Sequence, residues 1–106
     1  LHSLRPLPSP PSPPYACAII HRPPLILLEA RPPTAALAAG KLTCFGGHVE
    51  GSETPEEALE RELEEELGWR GAGAGERKVE LSVNGDLTAY FYELKPRDGA
   101  EFVYEE

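Results

Sequence analysis

Apolar residues follow two periods along this chain. Positions 15–21 (YACAIIH) and 25–30 (LILLEA) are short runs rich in strand formers. Pro23-Pro24 separates them, and the pair is expected to form a hairpin. Residues 32–40 read as a loop, and 42–45 as a short strand running into Gly46-Gly47. Two more strands, 79–83 and 87–94, flank Asn84-Gly85-Asp86, a tight-turn sequence. A last strand is expected over 101–106 (EFVYEE). Between these strands the period changes. Leu59, Leu63 and Leu67 recur every fourth residue, behind Thr54-Pro55-Glu56-Glu57. That tetrapeptide is a capping box with proline at the first helical position, and Gly68 supplies the stop. One helix and several strands make the class mixed α/β, of the α+β kind. The glycine-alanine stretch at 71–75 is a flexible connector.

Composition sharpens the domain boundaries. Of the 106 residues, positions 1–14 hold six of the twelve prolines, so they read as a flexible tail ahead of a single domain over 15–106. Cys17 and Cys44 lie in apolar runs without a Cys-x-x-Cys spacing, which suits two reduced core thiols. The proline-rich start has no apolar leader core, and no apolar run is long enough to span a bilayer. A cytoplasmic location without membrane contact is therefore expected. With no methionine anywhere, the first residue is not an initiator, and a processed product, a fragment or a misplaced start is expected.

Charge narrows the choice of partner. The net charge is −8, and residues 46–66 alone carry nine acids against Arg61. No basic stripe exists to meet polymeric nucleic acid. On a helical wheel with Ala58 at zero, Glu65, Glu62 and Glu66 fall at about −20°, 40° and 80°. The leucines cover about 100° to 180°, and Glu57, Glu60 and Glu64 lie beyond at about 200° to 260°. Like charges at these spacings cost a helix about 0.2–0.5 kcal/mol per pair. The wheel alone leaves two readings open for Glu62, Glu65 and Glu66: a solvated face, or a site for a hard, oxygen-seeking divalent cation. Arg61 can fork onto Glu53 in the preceding loop or pair within the helix with Glu57 or Glu65. Gly46-Gly47 can form a simple turn or offer a carbonyl as a metal ligand.

Gly47, Glu53 and the run Arg61-Glu62-Leu63-Glu64-Glu65-Glu66-Leu67-Gly68-Trp69 together resemble the Nudix box, and every fixed position of that pattern is met. Phe45 and His48 stand where the family often has a proline and a basic residue. The resemblance implies a Nudix-type α/β/α sandwich built on a mixed β-sheet. The chain is expected to lack the usual C-terminal helix, leaving a sheet face for a partner subunit in a homodimer to cover. The implied reaction is Mg²⁺- or Mn²⁺-dependent hydrolysis of a nucleoside diphosphate linked to another group, with a metal-activated water attacking phosphorus. By position, Glu62, Glu65 and Glu66 are the implied catalytic and metal-binding carboxylates. The Gly46 carbonyl is a further implied ligand, and Arg61 with Glu53 an orienting ion pair. No residue is assigned to substrate binding. Two alternatives stay open: a Nudix-fold binding module without turnover, and a truncated fragment that needs a partner.

Overall fold

The computed structural model describes residues 12–36, 38–73 and 75–97. Its centre is β1 (Tyr15–Arg22), which is paired along both edges. On one edge it runs parallel to β7 (Asp86–Leu94), from Tyr15 opposite Ala89 to Ile20 opposite Leu94. The other edge is shared between two antiparallel strands. β5 (Phe45–His48) takes Tyr15 to Ala18, and β2 (Leu25–Leu27) takes Ile20 to Arg22. β6 (Glu76–Val83) completes the five-stranded mixed sheet antiparallel to β7. Asn84 and Gly85 join β6 to β7 with φ of 52° and 85°, the doubly left-handed backbone of a two-residue hairpin turn.

The run at 25–30 is not one strand, and the shared edge of β1 explains why. β2 follows β1 only as far as Leu27, because the rest of that edge is occupied by β5. The chain leaves the sheet at Leu28 and forms β3 (Glu29–Ala30) against β4 (Leu42–Thr43) in a separate two-stranded ladder. The expected strand at 42–45 divides for the same reason. Leu42 and Thr43 belong to β4, whereas Phe45 opens β5 and is buried in the core.

The helix α1 (Pro55–Leu67) has both bonds of the capping box. The Thr54 hydroxyl accepts from the Glu57 amide at 3.1 Å, and the Glu57 carboxylate accepts from the Thr54 amide at 2.9 Å. At the far end Gly68 adopts the left-handed conformation and its amide donates to the Glu64 carbonyl at 2.9 Å. Ala58, Leu59, Leu63 and Leu67 are buried, as the wheel requires. They pack on one sheet face, formed by Ala16, Ala18 and Ile20 of β1 and by Tyr90, Tyr92 and Leu94 opposite them on β7. Burying each leucine contributes roughly 1.5–3 kcal/mol. The alanines keep the β1 side of this face low, so the larger β7 tyrosines fill the remaining space. The Tyr92 hydroxyl donates to the Glu56 carboxylate, which ties the first turn of α1 to β7. Burial, then Glu56, pushes the Tyr92 hydroxyl pKa well above its usual value.

The opposite sheet face is different. Val79 and Leu81 pair with Phe91 and Ala89 there, and both are more than two-fifths exposed. Only one helix lies among the described residues, so a second helical layer is not seen among them. Packing at the other end of the described chain starts at Pro13, which is buried, and the Pro14 carbonyl accepts from the Val49 amide at 2.8 Å. The rest of the expected tail, at 1–11, and the expected strand at 101–106 lie outside the described residues. No helix among the described residues is long and apolar enough to cross a membrane.

Candidate active site

Two glycines bring the acidic helix against the sheet. Gly46 has φ 139°, and a Cβ there would strike the Ala16 carbonyl of β1. At Gly47 a Cβ would lie 2.6 Å from the carboxyl carbon of Glu62. Both positions require the missing side chain: one for the strand pairing, the other to seat a helix carboxylate on the loop.

After His48 the chain turns back on itself. The Glu50 amide donates to Glu53 Oε1 at 3.0 Å, and the Glu53 amide donates to the Glu50 carbonyl at 2.9 Å. Arg61 then grips this loop with its whole guanidinium. Its Nε donates to Glu53 Oε2 at 2.7 Å and Nη2 to Glu53 Oε1 at 3.0 Å, a two-pronged bond. Nη2 also donates to the His48 carbonyl at 3.0 Å. Nη1 reaches Glu62 at 3.0 Å and Glu65 at 3.3 Å. The two readings of Arg61 are thus both realised, with Glu53 across the loop and Glu65 along the helix. The Arg61 bond, helped by the Glu50 amide, holds the Glu53 carboxyl below its usual range. Glu53 in turn raises the already high pKa of Arg61.

On the other side of the helix the balance is reversed. Glu66 is half-buried, with the carboxyls of Glu29 and Glu62 close enough to interact with it. Burial first, then Glu29 and Glu62, pushes its carboxyl up to about 9. Glu29 is the only buried charged residue among those described, and Arg31 Nη1 donates to its Oε1 at 3.1 Å. A cavity of about 270 Å³ opens beside this group, lined by Tyr15, Cys17, Glu29, Arg31, Thr43 and Cys44 together with Gly46 and Gly47. The Tyr15 ring meets the His48 imidazole edge-on, with centroids 4.6 Å apart. Cys17 and Cys44 are free and half-buried; burial, then Cys44 and Glu66, pushes the Cys17 thiol up to about 11.

The fold therefore seats Glu62 against Gly47, with Glu66 close to Glu62. It places Glu65 on the wet flank, where its side chain is 59% exposed and attached through Arg61. Reasoning from sequence found Gly46 and Gly47 on the cavity wall but missed Glu29 and Arg31. One signal was available: Glu29 is the sole acid in the first 45 residues, and it closes an aliphatic run.

The carboxylate oxygens around Glu66 are hard donors of the kind Mg²⁺ and Mn²⁺ select. Burial, with Glu29 and Glu62 nearby, disfavours the charged form of Glu66, a penalty that a bound cation would offset. The donor chemistry fits such an ion. Among the described residues no group of three His, Cys, Asp or Glu side chains is placed to hold a metal ion, and Arg61 holds both Glu62 and Glu65.

A capped acidic helix locked by one arginine to a glycine loop, beside a cavity on a mixed sheet, defines a Nudix domain. The NUDIX domain family model matches residues 11–104, and the chain belongs to this family. Among solved structures it is similar to the solution structure of the E. coli ORF135 protein, at 34% identity and a TM-score of 0.61. That likeness covers 87% of this chain and 66% of the other, so the chain spans slightly less than two thirds of that protein. No curated protein matches.

Proposed function

We propose that this chain is a Mg²⁺- or Mn²⁺-dependent pyrophosphohydrolase acting on a nucleoside diphosphate linked to another group. The observation that carries this reading is the Glu62 carboxyl seated on Gly47, a residue of the cavity wall, with Glu66 close to Glu62. Glu62, Glu66 and the Gly46 carbonyl are the donors for the cation, with Glu65 as a further ligand or as acceptor for a metal-bound water. The cation, when bound, would neutralise charge on the phosphate oxygens and make an attacking water acidic enough to react. Arg61 and Glu53 set the shape of loop and helix and take no proton. Glu65 is exposed and held by Arg61 at 3.3 Å, which suits it to receive a proton from water outside the buried cluster. Arg31 is the one basic side chain lining the cavity among the described residues, and it would meet an anionic substrate. Tyr15 offers an aromatic wall. At about 270 Å³ the cavity takes part of a nucleotide rather than a whole one. The two free thiols accord with a cytoplasmic location.

Purified protein with Mg²⁺ or Mn²⁺ should release a nucleoside monophosphate, or a phosphorylated second product, from at least one member of a broad panel of such substrates. A panel that is inert with either metal overturns the assignment. Calorimetric binding of a nucleotide without any product would identify a binding module instead.

A further inference from the structure

A second cavity, of about 550 Å³, lies where the chain leaves α1 and where it leaves β7. It shares no wall residue with the cavity at the candidate active site. Its volume falls in the range of about 300–1,000 Å³ that small-molecule sites occupy. Trp69 and Arg70 form one wall, Lys95 and Arg97 the other. Both walls stand on the core. Leu67 and Leu94, the last residues of the two elements, are 2% and 3% exposed and share one cluster, against which Trp69 also packs.

The charge of this cavity is opposite to that of the chain. Three of the ten Lys and Arg residues line it, and no Asp or Glu does among the described residues, on a chain of net charge −8. A fourth guanidinium adjoins it, since Arg22 Nη2 donates to the Arg97 carbonyl at 3.4 Å. Two of the cations have carboxylate neighbours: Glu64 at 3.2 Å from Arg70 Nε, and Glu93 at 3.7 Å from Lys95 Nζ. The Arg70 and Lys95 side chains are 85% and 67% exposed, so water screens both pairs and a multiply charged anion can displace the partner. Open carbonyls at the C-terminus of α1 would repel an anion. Here the Gly68 and Trp69 amides already bond the Glu64 and Leu63 carbonyls, at 2.9 and 3.3 Å.

We propose that this cavity is a second ligand site, which binds a diphosphate group, free or within a nucleotide, without a divalent ion. Three cations exceed the charge of about −1.5 to −2 on a single phosphate group and suit a diphosphate. Arginine forks onto phosphate oxygens, and lysine adds a point charge. Trp69 offers a surface on which a base can stack. The rest of the acidic chain repels such a ligand, so the field favours this cavity.

Calorimetry on the full chain in EDTA, with inorganic pyrophosphate and adenosine diphosphate as titrants, tests this. Both should bind saturably, and the triple variant Arg70→Gln, Lys95→Gln, Arg97→Gln should bind each about tenfold more weakly. Arg31→Gln, which alters the other cavity, should bind as the unsubstituted chain does. Equal or tighter binding of pyrophosphate assigns the site to the free anion, and tighter binding of adenosine diphosphate assigns it to a nucleotide. Absence of saturable binding, undiminished binding in the triple variant, or loss of binding in Arg31→Gln each overturns the proposal. If the triple variant does not fold, Lys95→Gln decides alone: weaker binding supports the proposal, and unchanged affinity overturns it. Hydrolysis at the acidic helix is tested separately, because EDTA removes the cation it needs.

Discussion

The two sides of the acidic helix solve opposite charge problems. At the Arg61 pole one guanidinium meets both oxygens of Glu53, the His48 carbonyl, Glu62 and Glu65, so negative charge is matched donor by donor. At the Glu66 pole Glu29 is bonded to Arg31 and Glu62 to Arg61, while burial beside these two acids pushes the Glu66 carboxyl up to about 9. The first pole is complete as it stands and serves as scaffold. The second is complete only with a proton or a cation. A rigid, self-satisfied pole beside an unsatisfied one is how a protein can hold a reactive cluster in place without collapsing it.

Substitutions that exchange the character of the poles test this contrast. The largest effect is expected at the unsatisfied one. Glu66→Gln should lower the steady-state rate of pyrophosphate hydrolysis by about a thousandfold, since it removes a charge the chemistry needs. Its circular dichroism should be unchanged, and a rate within a factor of three of the original would refute the role of Glu66. At the matched pole the loss should appear in stability. Arg61→Lys cannot fork onto Glu53 and leaves several acids poorly paired, which should cost about 2 kcal/mol in urea unfolding. No change in the unfolding midpoint would show that the network carries no weight.

The poles also have opposite pH signatures. Glu53 has a lowered carboxyl, so its stabilisation is present above 4.5 and is lost as pH falls below that value. Glu66 is raised from 4.5 to about 9, so the folded state binds the extra proton in that window. Its contribution is therefore full below 4.5 and is lost as pH rises toward 9. The melting temperature of the metal-free protein should fall between pH 5 and 9, and Glu66→Gln or saturating Mn²⁺ should flatten the slope. A slope that survives both would place its origin elsewhere. The smallest effect is expected away from both poles: Thr54→Ala removes the cap acceptor and should cost about 1 kcal/mol of stability, with the Mn²⁺ affinity unchanged.

The matched pole was legible in the sequence because its determinants are local. The cap, the leucine spacing, the Gly68 stop and the offset from Glu53 to Arg61 all lie within one helix and its loop, where a wheel is a reliable guide. The Asn84-Gly85 turn was legible for the same reason. The unsatisfied pole was half hidden. Glu62 and Glu66 could be placed on one flank, but Glu29 reaches them only because β5 displaces the chain from β1 after Leu27, a competition between strands far apart in sequence. The same competition broke the 25–30 run into two strands. The parallel pairing of β1 with β7 likewise joins segments some 70 residues apart and leaves no local signature. Tyr92 donating to Glu56 belongs to the same class of long-range contact.

The exposed apolar strands bear on how the protein behaves in bulk solution. Leu25, Ile26, Val79, Leu81 and Val83 are each more than two-fifths exposed, on a chain whose net charge of −8 makes copies repel one another. That repulsion disappears near the isoelectric point of about 4.9, whereas the apolar surface remains. Colloidal stability should therefore pass through a minimum close to pH 5, within the range where the fold itself is most secure. Light scattering should show particles growing there and dispersing again as pH rises, so that conformational and colloidal stability run in opposite directions.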